Sequence, residues 1–443
     1  MEFLPNFGNI GFTLIAFVVA LSIIVAIHEY GHYIVGRWSG IHAEVFSIGF
    51  GPVLFSRVDK RGTRWQVAAL PFGGYVKFLG DANAASAGAD AEVVDALDPA
   101  ERRRTMPGAP LWARAATVAA GPIFNFILSI LIFGAVVLVS GRAVDEPRVG
   151  PPAALPADVT ILQEGDLITA IAGEPVESLA DVYTISRDME PAQTVSYDVV
   201  RDGQAITVEA AFPLLPIVQS VTPQSAAIAA GIQEGDVLTA VDGTPIHAFS
   251  QLRAAVDASE GAPLALTLWR DGEILEKELS PRSTALPDRD GGFETRWLIG
   301  ITGGLIFEPL TENVGPLAAI GFGAEQTLFV VESSLSGLWH IIVGEISTCN
   351  LQGPIGIAET SGAAASQGID NFIWFIAVLS TAVGLLNLFP IPVLDGGHLV
   401  FHAYEAVAGK PPSARVLNAF MTTGLVLLLS LMLFALTNDI FCP

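Results

Sequence analysis

Four long runs without a charged residue dominate the pattern of hydrophobic and polar positions along the chain. They are Ile10 to Ile27, Ala115 to Ser140, Asn371 to Leu394 and Val416 to Thr437. Crossing a bilayer as a helix takes about 20 mostly apolar residues, and the first run continues into the two histidines that follow it. The pattern predicts a multi-pass α-helical membrane protein with four transmembrane helices.

The segment between the first two runs has a different pattern. Val45 to Val58 and Thr63 to Leu79 are rich in Val, Phe, Tyr and Trp with repeated glycines, and Asp59-Lys60-Arg61-Gly62 separates them as a turn. This pattern favours a membrane-associated β-hairpin or meander over a helix. An exposed edge of such a sheet is a place where an extended peptide can add as a strand.

A third pattern is an internal repeat. Residues 163–175 (QEGDLITAIAGEP) return 70 residues later as residues 233–245 (QEGDVLTAVDGTP), and each copy continues with a helical stretch and a hairpin sequence, Arg-Asp-Gly. Such self-similarity predicts duplicated small domains rich in strands. The pattern resembles the PDZ fold, which takes peptide carboxyl termini by strand addition. The first copy is less regular at residues 149–154, and both copies could instead be steric filters or spacers.

The complete pattern divides the chain into nine predicted segments. They are a first transmembrane helix (1–38), a membrane-associated β-hairpin region (39–80), a cytoplasmic linker (81–111), a second transmembrane helix (112–140), two PDZ-like domains (141–213 and 214–283), a connector with an amphipathic helix over 315–345 (284–370), a third, Pro-broken transmembrane helix (371–409), and a fourth transmembrane helix with its tail (410–443).

Composition and charge add a topology. Hydrophobic residues make up 51% and charged residues 15% of the 443 residues, as expected for a membrane protein. Nine Lys and Arg lie between Arg37 and Trp112, whereas the three times longer stretch from Gly141 to Asp370 has ten, against 32 Asp and Glu. The positive-inside rule makes the compact basic segment cytoplasmic. Both termini and the PDZ-like domains are then periplasmic, and the acidic balance argues against a nucleic-acid partner.

The candidate chemistry begins at the end of the first run. His28-Glu29-Tyr30-Gly31-His32 is an H-E-x-x-H pattern, which puts two imidazoles on one helix face with a glutamate beside them as general base. The plain alternative is an interfacial helix end with polar residues among headgroups. Ionisable residues at the end of an apolar span are costly, however, and indicate a functional site.

Two histidines need a third ligand, since catalytic zinc usually has three protein ligands and one open position. Asp395 is the candidate, because it too ends a charge-free run, after Pro390 and Pro392 interrupt the helix. His398 and His402 share its predicted helix face as groups beside the ligands or lining a pore. Asn125, in Gly121-Pro122-Ile123-Phe124-Asn125, is predicted either to hydrogen-bond between helices or to border the metal site. Two cysteines are too few for a cysteine metal site.

These motifs together resemble the site-2 protease family of intramembrane zinc metalloproteases, in particular its bacterial regulator of sigma-E protease type with tandem PDZ domains. The resemblance rests on H-E-Y-G-H, G-P-x-x-N, the two repeats, and N-x-x-P-x-P-x-x-L-D-G, in that order. It implies that Glu29 is the catalytic acid and base and that Zn²⁺ is bound by the side chains of His28, His32 and Asp395. Asn387 and Pro390, with Pro392 beside them in the broken helix, are then substrate-handling residues.

The function implied is cleavage of the transmembrane segments of single-span membrane proteins in the bacterial inner membrane, with the active site towards the cytoplasmic side. Anti-sigma factors after a first cut and signal peptide remnants are the substrates implied. One rival hypothesis is a membrane-anchored PDZ adaptor that binds exported carboxyl termini without catalysis. Another is a metal transporter, which gives tandem peptide-binding domains no role.

Overall fold

A computed structural model describes residues 7–81, 94, 96–156, 162–222, 225–287 and 293–441 of the chain. The chain divides into two compact units. The first comprises Met1–Ala135, Pro316–Gly344 and Thr348–Pro443, and the second comprises Val136–Gly315 and Glu345–Ser347. The first unit is mostly helical and the second is mostly strands.

The helices of the first unit are well separated along the chain. They are α1 (Phe7–Trp38), α2 (Pro99–Arg102), α3 (Leu111–Ser140, whose last residues belong to the second unit), and, after the second unit, α7 (Pro316–Val343), α8 (Pro354–Ser366), α9 (Ile369–Leu388), α10 (Asp395–Ala408) and α11 (Ala414–Phe441). Four of them contain stretches long and apolar enough to cross a membrane: Ile10–Trp38, Leu111–Ser140, Ile369–Leu388 and Arg415–Phe441. The protein is therefore a membrane protein with the four membrane helices that the hydrophobic pattern predicts.

The third apolar run is interrupted as its prolines predict. Helix α9 ends at Leu388, and Phe389 is extended with ψ 145°. Helix α10 begins only at Asp395, so Pro390 and Pro392 lie in the connection between the two helices. The connection folds tightly onto the end of α9, because a Cβ at Gly396 would lie 2.3 Å from the carbonyl oxygens of Leu388 and Phe389. Glycine is thus required at the position that follows Asp395.

The β-structure of the first unit is one hairpin, β1 (Ala43–Val58) and β2 (Arg64–Phe78). It is irregular, because residues 45–48 of β1 pair on one side with residues 74–77 and on the other with residues 64–67. Residues 53–58 pair with the outer side of the same 64–68 segment. The two long strands of the hairpin therefore form a small sheet, and the segment from Gly74 to Phe78 is one of its edges.

The amphipathic pattern at 315–345 corresponds to helix α7, and a further helix, α8, follows it. Asp439 near the end of α11 accepts hydrogen bonds from the backbone N–H groups of Gly353, Ile355 and Gly356, at 2.7, 2.9 and 3.1 Å. A carboxylate at this position satisfies the free N–H groups at the start of α8. Helix α8 packs against α1, where a Cβ at Gly362 would lie 2.3 Å from Oγ1 of Thr13.

The second unit contains two four-stranded sheets of the same order, one for each copy of the sequence repeat. The first has the order β6-β5-β7-β8 and the second β11-β10-β12-β13. The elements of the first copy are β3 (Arg142–Ala143), β4 (Val149–Pro152), β5 (Leu167–Ile171), β6 (Glu174–Pro175), α4 (Leu179–Asp188), β7 (Thr194–Arg201) and β8 (Gln204–Ala211). Those of the second are β9 (Val218–Val221), α5 (Ala226–Ala229), β10 (Val237–Val241), β11 (Thr244–Pro245), α6 (Phe249–Ala258), β12 (Leu264–Arg270) and β13 (Glu273–Leu279).

Further strands follow the second copy, most of them in the predicted connector, 284–370. They are β14 (Arg282–Pro287) and β15 (Phe293–Leu298), which pair with each other, and β16 (Ile301–Gly303), β17 (Phe307–Pro309) and β18 (Thr311–Glu312), which return to the two copies. Strand β16 pairs with β9 of the second copy, while β17 and β18 pair with β4 and β3 of the first. The second copy is thus nested within the first, which the linear repeat does not reveal.

Each copy has a buried carboxylate at the same position of its repeat, Asp166 in the first and Asp236 in the second. The side chain of Asp166 accepts two hydrogen bonds of 2.7 Å from Arg201, and that of Asp236 accepts two from Arg270 at 2.6 and 2.7 Å. Both aspartates also accept a backbone N–H, from Gln163 and Gln233 respectively. The Gly-Asp of the repeat and the Arg of its hairpin therefore form one ion pair in each copy.

Candidate metal centre

The two histidines of the H-E-x-x-H pattern lie one turn apart on α1 and face the same space. Their ring centroids are 4.8 Å apart and their planes are nearly perpendicular, at 82°. Nε2 of His28 lies 3.2 Å from Nε2 of His32. Helical spacing alone brings the two nitrogens together, as the sequence predicts.

The end of the broken span supplies a third group. Oδ2 of Asp395 lies 3.2 Å from Nε2 of His28 and 3.5 Å from Nε2 of His32. Asp395 occupies the first turn of α10, where the free N–H groups of the helix favour a negative charge. The three side chains form a group whose ligand atoms all lie within 4.8 Å of one another.

The hydrogen bonds around this group leave two of its inner atoms, Nε2 of His32 and Oδ2 of Asp395, each with a free electron pair. Nδ1 of His32 lies 2.8 Å from the carbonyl oxygen of Thr117, which can only accept, so Nδ1 carries the hydrogen and Nε2 of a neutral imidazole presents a lone pair. Oδ2 of Asp395 is buried and accepts no hydrogen bond from the described residues. Electron pairs that converge in this way repel one another unless a cation lies between them.

Zinc fits this donor set. Ligand atoms about 2.1 Å from a tetrahedral ion lie roughly 3.4 Å from one another, which matches the separations of 3.2, 3.2 and 3.5 Å between the three atoms. Two neutral imidazoles and one carboxylate are also ligand types that zinc prefers.

Asn125 contacts the group from α3. It is fully buried, and its Nδ2 lies 3.2 Å from Nδ1 of His28, while its Oδ1 has no partner among the described residues. A histidine that binds metal through Nε2 carries a hydrogen on Nδ1 and needs an acceptor there. The orientation of an amide is assigned from its hydrogen bonds, and the opposite orientation would present the Asn125 oxygen to that hydrogen. Because it joins α3 to α1, the contact is at once an interhelical hydrogen bond and a contact with a proposed metal ligand, which are the two roles predicted for Asn125.

Gly121 explains the other part of the G-P-x-x-N motif. A Cβ at Gly121 would lie 2.3 Å from Nε2 of His32 and 2.7 Å from Cε1 of His28. Helix α3 can approach the two imidazoles only because this position has no side chain. Gly31 has the same role on α1, since its Cβ would lie 2.5 Å from the carbonyl oxygen of Ala120.

Glu29 faces the hairpin edge. Its carboxylate accepts a hydrogen bond from the backbone N–H of Val76. A Cβ at Gly74 would lie 3.1 Å from Cγ of Glu29 and 2.7 Å from the carbonyl oxygen of Ser47. Sequence patterns gave no indication of this contact, or of the Thr117 carbonyl, because both depend on backbone atoms brought close by tertiary packing.

A cavity of about 490 Å³ joins most of the predicted site residues. Its lining includes seven of them: His28, Glu29, His32, Asn387, Asp395, His398 and His402. Pro390 and Pro392 are not among its lining residues and shape the connection before α10 instead. At the opposite end of the lining, Arg114 and Glu405 form a bidentate ion pair of 2.6 and 3.0 Å, which the sequence analysis did not predict.

Comparison with known proteins decides the family. The family model described as "Peptidase family M50" matches residues 16–431. This chain belongs to peptidase family M50. That is the site-2 protease family, so the resemblance carried by the motifs is confirmed and the protein is a peptidase.

Several known proteins are similar to this chain over nearly its whole length. A protein of Rhizobium meliloti named "putative zinc metalloprotease" is 37% identical over 433 residues, covering 98% of this chain and 97% of that protein. A protein of Agrobacterium fabrum with the same description is 36% identical, covering 96% and 95%. The regulator of sigma-E protease of Salmonella typhimurium is 32% identical over 464 residues, covering 97% and 99%.

Proposed function

We propose that the protein is an intramembrane zinc metalloprotease in which His28, His32 and Asp395 hold the metal. One observation carries the proposal: three ligand atoms from two membrane-segment ends converge within 4.8 Å, and one of them is a buried carboxylate oxygen without a hydrogen bond. Family membership and the names of the relatives from Rhizobium and Agrobacterium support zinc as the cofactor.

Glu29 is proposed as the catalytic acid and base. Glu29 lies between His28 and His32 on α1 and lines the same cavity as both histidines. Zinc at this centre would lower the pKa of a water ligand and polarise the scissile carbonyl. The Glu29 carboxylate takes the proton of the attacking water and later gives it to the leaving amine. The Val76 N–H fixes the carboxylate during both transfers.

The hairpin edge and the broken span are proposed to hold the substrate extended. The segment from Gly74 to Phe78 is an edge on the Glu29 side, and its neighbour Phe50 also lines the cavity. A helical substrate has its carbonyls paired, so it must unwind before one can be attacked, and strand addition at this edge gives the unwound backbone new partners. Asn387 also lines the cavity, and Pro390 and Pro392 shape the irregular connection that follows it.

The substrates proposed are single-span membrane proteins, of the anti-sigma factor type after a first cut, and signal peptide remnants. The name of the Salmonella relative, a regulator of sigma-E protease, supports this class. The two nested copies are proposed to be PDZ domains on the periplasmic side of the inner membrane, which bind carboxyl termini or exclude bulky substrates. With both termini on that side, the active site faces the cytoplasmic half.

Exchange of Glu29 for Gln tests the proposal. We expect Glu29→Gln to lower cleavage of a single-span test protein by at least about 10²-fold, since general acid–base catalysis contributes 10²–10⁴-fold. The variant should keep one zinc per chain. Glu332→Gln, which changes an exposed glutamate on α7, is the control and should cleave normally. Undiminished cleavage by Glu29→Gln would exclude the assigned role, and a chain that binds no zinc at all would exclude the centre.

A further inference from the structure

A second cavity, of about 270 Å³, lies where α1 ends and the hairpin begins. Its lining includes three arginines and a histidine: Arg37, Arg61, Arg104 and His42. No carboxylate belongs to the lining within the described part of the chain. None of these residues belongs to the metal centre, and the proposed mechanism does not use them.

Among the described residues, the arginines of this cavity have no carboxylate partner. In the described ranges no carboxylate lies within 4 Å of the guanidinium group of Arg37, Arg61 or Arg104. The Arg37 guanidinium donates only to the hydroxyl oxygen of Tyr33, at 2.7 Å. Arg104 is held at the cavity by its backbone, because its carbonyl accepts the N–H of His42 at 2.9 Å. Three arginines thus share the lining of one cavity.

The nearest carboxylates are already engaged elsewhere. Asp59 accepts the N–H groups of Arg61 and Thr63 and the indole N–H of Trp65, and the Tyr33 hydroxyl lies 3.5 Å from it. Glu44 pairs with Lys77 at 2.9 Å. The pKa of His42 is lowered from its ordinary value, first by burial and then by the positive charge of Arg104, with smaller opposing effects of Glu44 and Asp59 and a further lowering by Arg37.

Two exposed tryptophans give the level of this cavity in the membrane. Trp38 ends the first membrane helix and is 73% exposed, and Trp112 at the start of the second is 63% exposed. Exposed tryptophans at the ends of membrane helices sit at headgroup level. Arg37 adjoins Trp38, so the cavity opens where lipid phosphates lie.

We propose that this cavity binds a phosphate group, and that the phosphate belongs to the headgroup of an anionic phospholipid. Guanidinium groups match phosphate oxygens in charge and geometry, and basic pockets on the cytoplasmic side of membrane helices bind anionic headgroups. The cavity is too small for a whole lipid and suits a headgroup whose chains remain in the bilayer.

The ordinary roles of the three arginines do not account for the cavity. The last carbonyls of α1 already accept backbone N–H groups, since Val35, Gly36 and Arg37 bond to Ser39, Ile41 and Gly40. The helix end therefore needs no arginine to satisfy it. Arginines that only set the membrane topology must lie in this segment, but they do not need to line one cavity.

Binding of a short-chain lipid to the full-length protein in neutral detergent tests the proposal. The probes are dioctanoyl phosphatidylglycerol, dioctanoyl phosphatidylcholine and inorganic phosphate. The double variant Arg61→Gln, Arg104→Gln removes two cavity charges. The double variant Arg57→Gln, Lys60→Gln is the control and removes the same amount of charge at two positions of the hairpin that do not line the cavity. The double variant Arg61→Lys, Arg104→Lys keeps the positive charge at the cavity.

We expect the phosphatidylglycerol probe to bind more tightly than the phosphatidylcholine probe. Each arginine should contribute about 5-fold, so the Arg61→Gln, Arg104→Gln protein should bind about 25-fold more weakly. The Arg57, Lys60 control should change by less than about 3-fold, and the lysine variant should retain most of the affinity.

Three results would overturn the proposal. Equal losses in the two glutamine variants would mean that net charge alone attracts the lipid. Unchanged binding by the Arg61→Gln, Arg104→Gln protein would exclude the cavity. Inorganic phosphate that competes as well as the phosphatidylglycerol probe would make free phosphate the ligand. Size-exclusion profiles identical to that of the unmodified protein show that a variant is folded.

Discussion

Buried aspartates in the two units of this protein are satisfied in opposite ways. Asp166 and Asp236, in the two nested copies, each face an arginine that donates two hydrogen bonds, and each accepts a backbone N–H as well. Asp395, at the proposed metal centre, lies beside Nε2 of His28 and Nε2 of His32, and its Oδ2 accepts no hydrogen bond from the described residues.

The difference separates a structural carboxylate from a functional one. A buried charge is tolerated when it is paired and hydrogen-bonded, and is costly otherwise. In each copy, an arginine of the same copy pairs with the aspartate, so the carboxylate contributes to stability. At the proposed metal centre no protein cation pairs with Asp395 among the described residues, so its carboxylate can bind a metal ion.

The largest effect expected concerns Asp395. Asp395→Ala should bind no stoichiometric zinc after purification and should lose at least about 10³-fold in cleavage, because a metal ion contributes several kcal/mol to transition-state stabilisation. Metal analysis and a cleavage assay measure the two losses. Asp370→Ala, at the start of α9, is the control. Full zinc content in Asp395→Ala would contradict the proposed ligand set.

Replacing one aspartate by asparagine in each unit tests this difference directly. Asp236→Asn should destabilise the second copy by about 3 kcal/mol, since removing one partner of a buried pair leaves Arg270 uncompensated. Metal-free Asp395→Asn should show no such loss, because it removes a charge that has no internal partner. Hydrogen exchange of the strands Val237–Val241 and Leu264–Arg270, and separately of α1 and α10, measures both effects.

Equal destabilisation by the two exchanges would show that Asp395 is held as a structural group. Glu146→Gln, in an exposed ion pair with Arg148, gives the baseline for a surface charge in the second unit and should alter exchange least.

These two kinds of site also differ in how far the sequence predicts them. The convergence of the three proposed metal ligands was predictable because local rules place His28 and His32 on one helix face and because Asp395 stands out at the end of an apolar run. The hydrophobic runs likewise predicted the four membrane helices. The repeat predicted two similar β-rich copies, since each copy repeats its turns and its strand pattern.

The missed features depend on tertiary packing. Strands β16, β17 and β18 pair with strands far earlier in the chain: Phe307 pairs with Pro152, 155 residues before it, and Thr311 pairs with Ala143, 168 residues before it. Short strands carry no register that a pattern could reveal. The Thr117 carbonyl and the Val76 N–H are backbone groups, so residue type gives no sign of them. Gly121 lay in a noticed motif, but its contact with both imidazoles requires the position of α3.

Asn125 should have a smaller effect than the ligands. Asn125→Leu keeps the volume but removes the acceptor for Nδ1 of His28, and loss of such a supporting hydrogen bond typically weakens metal binding 10- to 100-fold. Competition with a chelator measures the zinc affinity. Ser129→Ala is the control, because the Ser129 hydroxyl, one turn from Asn125, donates to the backbone carbonyls of Asn125 and of Ala377 on α9 and does not contact the histidines.

A zinc affinity that falls equally in both variants would mean that Asn125 acts through helix packing alone. A fall confined to Asn125→Leu would support its contact with His28 as part of the metal centre.

The last prediction concerns the stability of the first copy in acid, and its effect at neutral pH is the smallest expected. Burial alone would raise the pKa of Asp166, but the hydrogen bonds from Arg201 and from the Gln163 N–H outweigh it and lower the pKa below its ordinary value. The stabilisation is then fully present above about pH 4 and is lost as the pH falls through the lower, folded-state pKa. Hydrogen exchange of Leu167–Ile171 and Thr194–Arg201, corrected for intrinsic rates, should show protection falling in this acid range.

Asp166→Asn should lose this part of the pH dependence and start from the lower protection already at neutral pH. A variant that keeps the acid transition unchanged would assign it to another carboxyl group. With zinc bound, the centre at Asp395 should show no matching acid transition. There the metal ion, rather than an arginine, compensates the charge of the carboxylate and competes with its protonation.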